Sequence, residues 1–273
     1  MSEKRARREG YAELNGARFY YEVAGAGEAL VLVHAGIADR RMWNEQFEVM
    51  AEHYMVVRYD RRGFGRTQTA ASPFSHHHDL YELLRFLRIE RASLVGCSQG
   101  GKTILDLALA HPEMVDALVL VASALGGFTF YGNLPGQLAE LERADKEGDI
   151  DRVNELELQI WVDGQSRTPQ QVDRNLRELV REMNLIALKA AAELGSEQPL
   201  EPPAVDRLDE IGIPTLVIVG DLDTPKTLAA ADLLARRITG ARKVVINDTA
   251  HLPNMEKPEE FNRHVLSFLH GLR

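Results

Sequence analysis

The sequence predicts an α/β protein, a mostly parallel sheet of eight strands with helices on both faces and an inserted helical cap. Three observations carry that expectation. Short, continuously apolar runs alternate with amphipathic segments, as buried parallel strands and their covering helices do. The rhythm stops between residues 128 and 203, where apolar residues recur only at helical spacing. One apolar run, ending Leu94-Val95-Gly96-Cys97-Ser98-Gln99-Gly100-Gly101, passes at once into the amphipathic segment Lys102-Thr103-Ile104-Leu105. That is strand, tight turn and helix.

In chain order, residues 1–10 read as a loose polar tail. Ala12-Glu13-Leu14 and Arg18 to Val23 form a hairpin across Asn15-Gly16, a pair suited to a two-residue turn. Ala29 to Val33 is the first strand apolar enough to be buried on both faces. A loop from His34-Ala35-Gly36 to Trp43 leads through a helix over 44–53 to the strand Met55 to Tyr59 and the turn Asp60 to Gly65. Leu80, Leu83, Leu84 and Leu87 share one helical face. Ser93 to Val95 lies beneath the turn at Ser98, a helix runs to Ala110, and Asp116 to Val121 is another buried strand.

The interruption contains a helix over 168–194, with Val172, Leu176, Leu179, Val180, Met183 and Ala187 on one face and Thr168-Pro169 as its start. The sheet resumes with Pro214 to Val219, a helix from Pro225, the strand Lys243 to Ile246, and a last helix carrying Phe261, Val265, Phe268 and Leu269. Residues 11–127 and 204–273 are therefore expected as the core and 128–203 as the cap.

Lys plus Arg number 32 against 41 Asp plus Glu, a net charge of −9, and apolar residues make up 45%. This acidity argues against nucleic-acid binding and against anionic membrane surfaces. No apolar run approaches the ~20 residues of a membrane span, so no membrane insertion is expected. The single cysteine, Cys97, has no intrachain partner, and the polar start lacks a signal peptide's apolar core. A reduced, cytoplasmic protein is expected. Oligomeric state stays open, with a homodimer among the options.

Chemistry in open α/β sheets sits at the carboxyl ends of the strands. Gly96-x-Ser98-x-Gly100 forces its serine into a strained turn, and glycines two residues away on either side leave room for it. Alone, the pattern also fits a plain strand-to-helix turn. Two later strand ends supply the other groups that acyl transfer requires: Gly220-Asp221-Leu222-Asp223, and Asn247-Asp248-Thr249-Ala250-His251. A serine hydroxyl is a poor nucleophile at neutral pH. It needs a base such as His251 and an acid that orients that base. Asp221, Asp223 and Asp248 all compete for the acid role, and turn capping is the ordinary use of the other two.

At this point the chain resembles the α/β-hydrolase superfamily over nearly its whole length. The matching residues are His34-Ala35-Gly36, Asp60-x-Arg62-Gly63-x-Gly65, Gly96-x-Ser98-x-Gly100-Gly101, Gly220-x-x-Asp223, and His251 followed by Glu256, Pro258 and Phe261. Among capped members it is similar to the bacterial esterase, enol-lactonase and cofactor-free perhydrolase group. The resemblance implies Ser98 as nucleophile, His251 as general base and acid, and Asp223 as the orienting carboxylate. It also implies an oxyanion hole from the backbone N–H groups of Gln99 and Gly36, with Ile37 the alternative to Gly36 because Ala35 stands where relatives more often have glycine. Aspartate at the elbow would have suggested a dehalogenase or epoxide hydrolase; serine does not.

Other features have ordinary readings. Cys97 is expected to point away from Ser98 into packing. His76-His77-His78 tempts a metal reading, but consecutive helical residues diverge by about 100° and cannot converge on one ion. A solvated helix start is expected there, and His34 is expected to brace its loop. Arg40-Arg41 and Arg61-Arg62 are expected to pair with acids. Trp43, Phe128, Phe130, Tyr131, Trp161 and Met183 are candidates for an apolar acyl pocket. The expectation is a serine hydrolase of small-molecule carboxylic esters or lactones, with no cofactor and no metal. Carbon–carbon bond hydrolysis, thioester hydrolysis and peracid formation use the same residues, and a slow-turnover small-molecule receptor is the non-enzymatic alternative.

Overall fold

Asn15 and Gly16 both adopt positive φ, 48° and 72°, and fold β1 (Arg8–Leu14) back onto β2 (Ala17–Ala24) through the mirror-image turn that suits twisted strands. The computed structural model describes residues 7–272. β1 pairs with β2 from Arg8 onward, so Arg8 to Gly10 are strand rather than tail. Backbone pairing holds this polar edge, which hydrophobic periodicity does not register. The remainder of the expected tail, residues 1–6, lies outside the described residues.

β3 (Ala29–Val33), β4 (Met55–Tyr59), β6 (Ala92–Cys97), β7 (Val115–Val121), β8 (Thr215–Gly220) and β9 (Arg242–Ile246) run parallel, and β2 joins β4 antiparallel. The order is β1-β2-β4-β3-β6-β7-β8-β9, with a two-residue strand, β5 (Gln68–Thr69), off this path beside β2. Successive side chains of each strand enter opposite faces. Val31, Val33 and Val57 pack against α2 (His76–Phe86), α3 (Gln99–Ala110) and α7 (Pro225–Arg237). Leu30, Leu32 and Val56 pack with α1 (Asn44–Met50) and α8 (Pro258–His270).

Between β7 and β8 the described chain forms α4 (Leu138–Glu147), α5 (Ile150–Leu158) and α6 (Arg174–Ala190). The helix expected from Thr168 begins later. Thr168 heads a short turn over Pro169–Gln171, Val172 is extended, and the Asp173 carboxylate accepts the Leu176 N–H at 2.8 Å to cap α6. α5 continues into a π-helical turn, Gln159–Asp163. No helix among the described residues is long and apolar enough to cross a membrane.

Candidate active site

β6 delivers Ser98 at φ 54°, ψ −116°, a conformation that costs free energy and persists only where its surroundings enforce it. The Ser98 N–H donates to the Val121 carbonyl, and the Ser98 carbonyl accepts from the amides of Lys102 and Ala124. A Cβ on Gly96 would lie 2.4 Å from the Gly100 oxygen, and one on Gly100 would lie 2.2 Å from the Val33 oxygen. Only glycine lets α3 start so close to β3 and β6. The other member of the turn, Cys97, is fully buried, with Sγ toward the His251 carbonyl at 3.7 Å, and burial pushes its thiol well above the ordinary value.

β8 ends in the turn that carries Asp223. Gly220 backs onto the Thr249 and Ala250 carbonyls so closely that a Cβ there would sit 2.2 Å from the first, which holds the Asp223 and His251 loops together. The Asp223 carboxylate accepts the Thr224 N–H through Oδ1 at 2.6 Å and faces His251 Nδ1 through Oδ2 at 2.8 Å. A proton on Nδ1 makes that contact a hydrogen bond and leaves Nε2 as the acceptor. Asp221 lies against the Thr249 amide, and Asp248 faces Lys257 in the open. Neither of these two is the carboxylate at His251.

His251 and Ser98 line one cavity of about 140 Å³. Of the six candidate pocket residues, Phe128 and Trp161 are in its wall. Trp43 is instead fully buried against Phe261, and Met183 is buried with its sulfur at the Asp39 amide. Phe130 turns toward Gly132, and Tyr131 is 94% exposed. An aromatic in the sequence shows appetite for burial, not which surface it meets. The residues that sequence reading missed are Ala122 to Leu125 after β7, and Lys226, Thr227 and Ala230 in the first half of α7. Their signal was positional, since both segments follow the carboxyl end of a strand.

The helical insert reaches the site through Trp161, whose carbonyl accepts the His251 N–H at 3.2 Å. Arg167 fixes that turn. It donates to the carbonyls of Val162 and Asp163 and pairs with Glu256 at 2.6 Å, while Glu256 accepts the Ala250 N–H. Burial raises the Glu256 pKa despite the arginine.

The loop after β3 turns through Gly36 against the Gln99 side chain, where a Cβ on Gly36 would meet the amide carbon at 2.8 Å. The Gln99 N–H, first in α3, has no acceptor within its own helix. His34 braces this loop: its Nε2 accepts the Arg61 N–H at 2.9 Å, so Nδ1 carries the proton and donates to the Ala35 carbonyl. Burial first, then the Arg61 charge, hold its pKa well below the ordinary value.

Arg40, Arg41 and Arg62 pair with acids as expected: Glu22 and Asp60, Asp39 and Glu182, and Asp79. Arg61 differs. Its guanidinium reaches Gln99 Oε1 at 3.3 and 3.4 Å and the Phe64 ring at 4.5 Å, and among the described residues no carboxylate pairs with it. The three adjacent histidines part toward Phe74, Ser75 and Tyr81, and His76 and His77 are half-buried rather than solvated.

These features meet a known family. The family model described as the alpha/beta hydrolase fold matches residues 28–258, and the chain belongs to that family. It is 30% identical over 243 residues to the pimeloyl-[acyl-carrier protein] methyl ester esterase of Aeromonas hydrophila, covering 87% of this chain and 93% of the relative. It is 27% identical over 272 residues to the 2-hydroxy-6-oxo-6-(2'-aminophenyl)hexa-2,4-dienoic acid hydrolase of Metapseudomonas resinovorans, covering 96% and 90%. The crystal structure of the enol-lactonase from Burkholderia xenovorans LB400 superimposes with a TM-score of 0.76 at 25% identity, covering 95% and 99%.

Proposed function

We propose that the protein is a serine hydrolase of small-molecule carboxylic esters or lactones. The observation that carries the reading is the hydrogen bond between His251 Nδ1 and Asp223 Oδ2 in a loop that shares one small cavity with the strained Ser98. In this reading His251 Nε2 takes the Ser98 proton as Oγ attacks the acyl carbon. The Asp223 carboxylate stabilises the imidazolium that forms. The Gln99 N–H and one from the Gly36–Ile37 turn receive the developing oxyanion. His251 returns the proton to the leaving alkoxide, giving an acyl-enzyme, and then activates water to release the acid.

The esterase and enol-lactonase relatives support ester bonds as the target, and the buried, protonated Cys97 thiol leaves Ser98 as the nucleophile at the elbow. A fluorophosphonate ester tests the reading by phosphonylating an activated serine. Mass spectrometry is expected to find one adduct, on the peptide containing Ser98. Labelling elsewhere, or none, would overturn it.

A further inference from the structure

Arg40, Arg41, Arg58 and Arg62 each hold a carboxylate, whereas the fully buried Arg61 holds none among the described residues. Its Nε has no hydrogen-bond partner either. Glu197, whose charge acts on Arg61, is taken by Lys102 at 2.8 Å. An unpaired buried cation is costly, so packing alone would be better served here by an apolar side chain of similar length. What the guanidinium does reach is Gln99 Oε1, through Nη2 at 3.3 Å and Nη1 at 3.4 Å.

A guanidinium only donates, so it fixes which end of the Gln99 carboxamide faces it. The same carboxamide lies broadside on Gly36, where a Cβ would meet its carbon, nitrogen and oxygen at 2.8, 2.9 and 3.0 Å. Residue 61 reaches that loop by a second route: its N–H donates to His34 Nε2, and His34 Nδ1 donates to the Ala35 carbonyl. That carbonyl and the Gly36 N–H belong to one trans peptide and point opposite ways, so holding the first aims the second.

We propose that Arg61 is a positioning residue for acyl transfer, holding the Gln99 carboxamide against Gly36 and so fixing the spacing of the Gln99 and Gly36 amides; the proposal rests on the serine-hydrolase reading above. Loss of that spacing deprives the developing oxyanion of a donor and leaves the ground state almost untouched. The effect therefore belongs in kcat rather than KM.

The test measures kcat and KM for p-nitrophenyl butyrate, and the Ki of butylboronic acid, which forms a tetrahedral anion on an active serine. The proteins are wild type, Arg61→Met, Gln99→Ala and the double variant. Each single variant is expected to lose about tenfold in kcat and in boronate affinity, with KM changed by less than about twofold. Residues that act as one unit are not additive, so the double variant is expected to match the singles. An Arg61→Met loss that persists undiminished in the Gln99→Ala background overturns the proposal, as does an Arg61→Met kcat within about twofold of wild type. If Arg61→Met does not fold, Gln99→Ala decides alone: the same loss in kcat at unchanged KM supports the proposal, and wild-type kcat overturns it. A wild type that neither hydrolyses the ester nor binds the boronate overturns the serine-hydrolase reading, and the proposal falls with it.

Discussion

The indole of Trp161 lies against the imidazole of His251, ring centroids 4.5 Å apart and planes at 44°, so the helical insert touches a histidine that the core supplies. This contact excludes water from one face of the ring and limits its rotation about the Asp223 hydrogen bond. Trp161→Ala is expected to lower kcat on a neutral aryl ester about tenfold while the far-ultraviolet circular dichroism stays unchanged. A kcat within a factor of two of wild type would show that His251 is held without the insert.

Arg61 is 1% exposed, and burial pulls its pKa down to about 10, so it remains charged at pH 7 without a carboxylate partner. Breaking a buried ion pair is costly because it leaves such a charge behind; here that state is native. Arg61→Met is therefore expected to leave Tm unchanged or raise it by a few degrees. The same change frees the Gln99 side chain above Gly36 and is expected to reduce kcat about tenfold. A Tm drop of ten degrees would contradict the description of Arg61 as uncompensated.

Glu22 gives the pH dependence. Burial alone would raise its pKa, but hydrogen bonds and charge from Arg40 and Arg58 more than offset this and bring it to about 2. Its folded pKa is below the unfolded one, so its stabilisation is complete above about pH 4.5 and is lost as pH falls through about 2. Glu22→Gln is expected to cost about 3 kcal/mol at pH 7 in urea unfolding. The gap from wild type is expected to narrow at pH 3; an unchanged gap would contradict the linkage. Asp60 on the same Arg40 has the opposite sign, because burial raises it to about 6 and its protonation favours the folded state as pH falls through that value.

The sheet was legible because parallel strands covered on both faces, such as Ala29–Val33 and Val115–Val121, are apolar throughout. Ser98, Asp223 and His251 could be singled out because each follows an expected strand, and of the three aspartates Asp223 is the one that faces His251 Nδ1. Two kinds of feature stayed hidden. The start of α6 depended on competition between two caps, Thr168 and Asp173, which local preference does not rank. The cavity wall depended on how the insert seats, which buries Met183 at the Asp39 amide and leaves Tyr131 in solvent. Arg61 was assigned an acid by composition, and its actual partner, Gln99, is a contact that only the fold creates.

The most direct measurement is turnover of p-nitrophenyl butyrate by Ser98→Ala, with circular dichroism confirming the fold. A Ser98 nucleophile predicts that kcat/KM falls by about 10⁴- to 10⁶-fold. Turnover equal to wild type would contradict it.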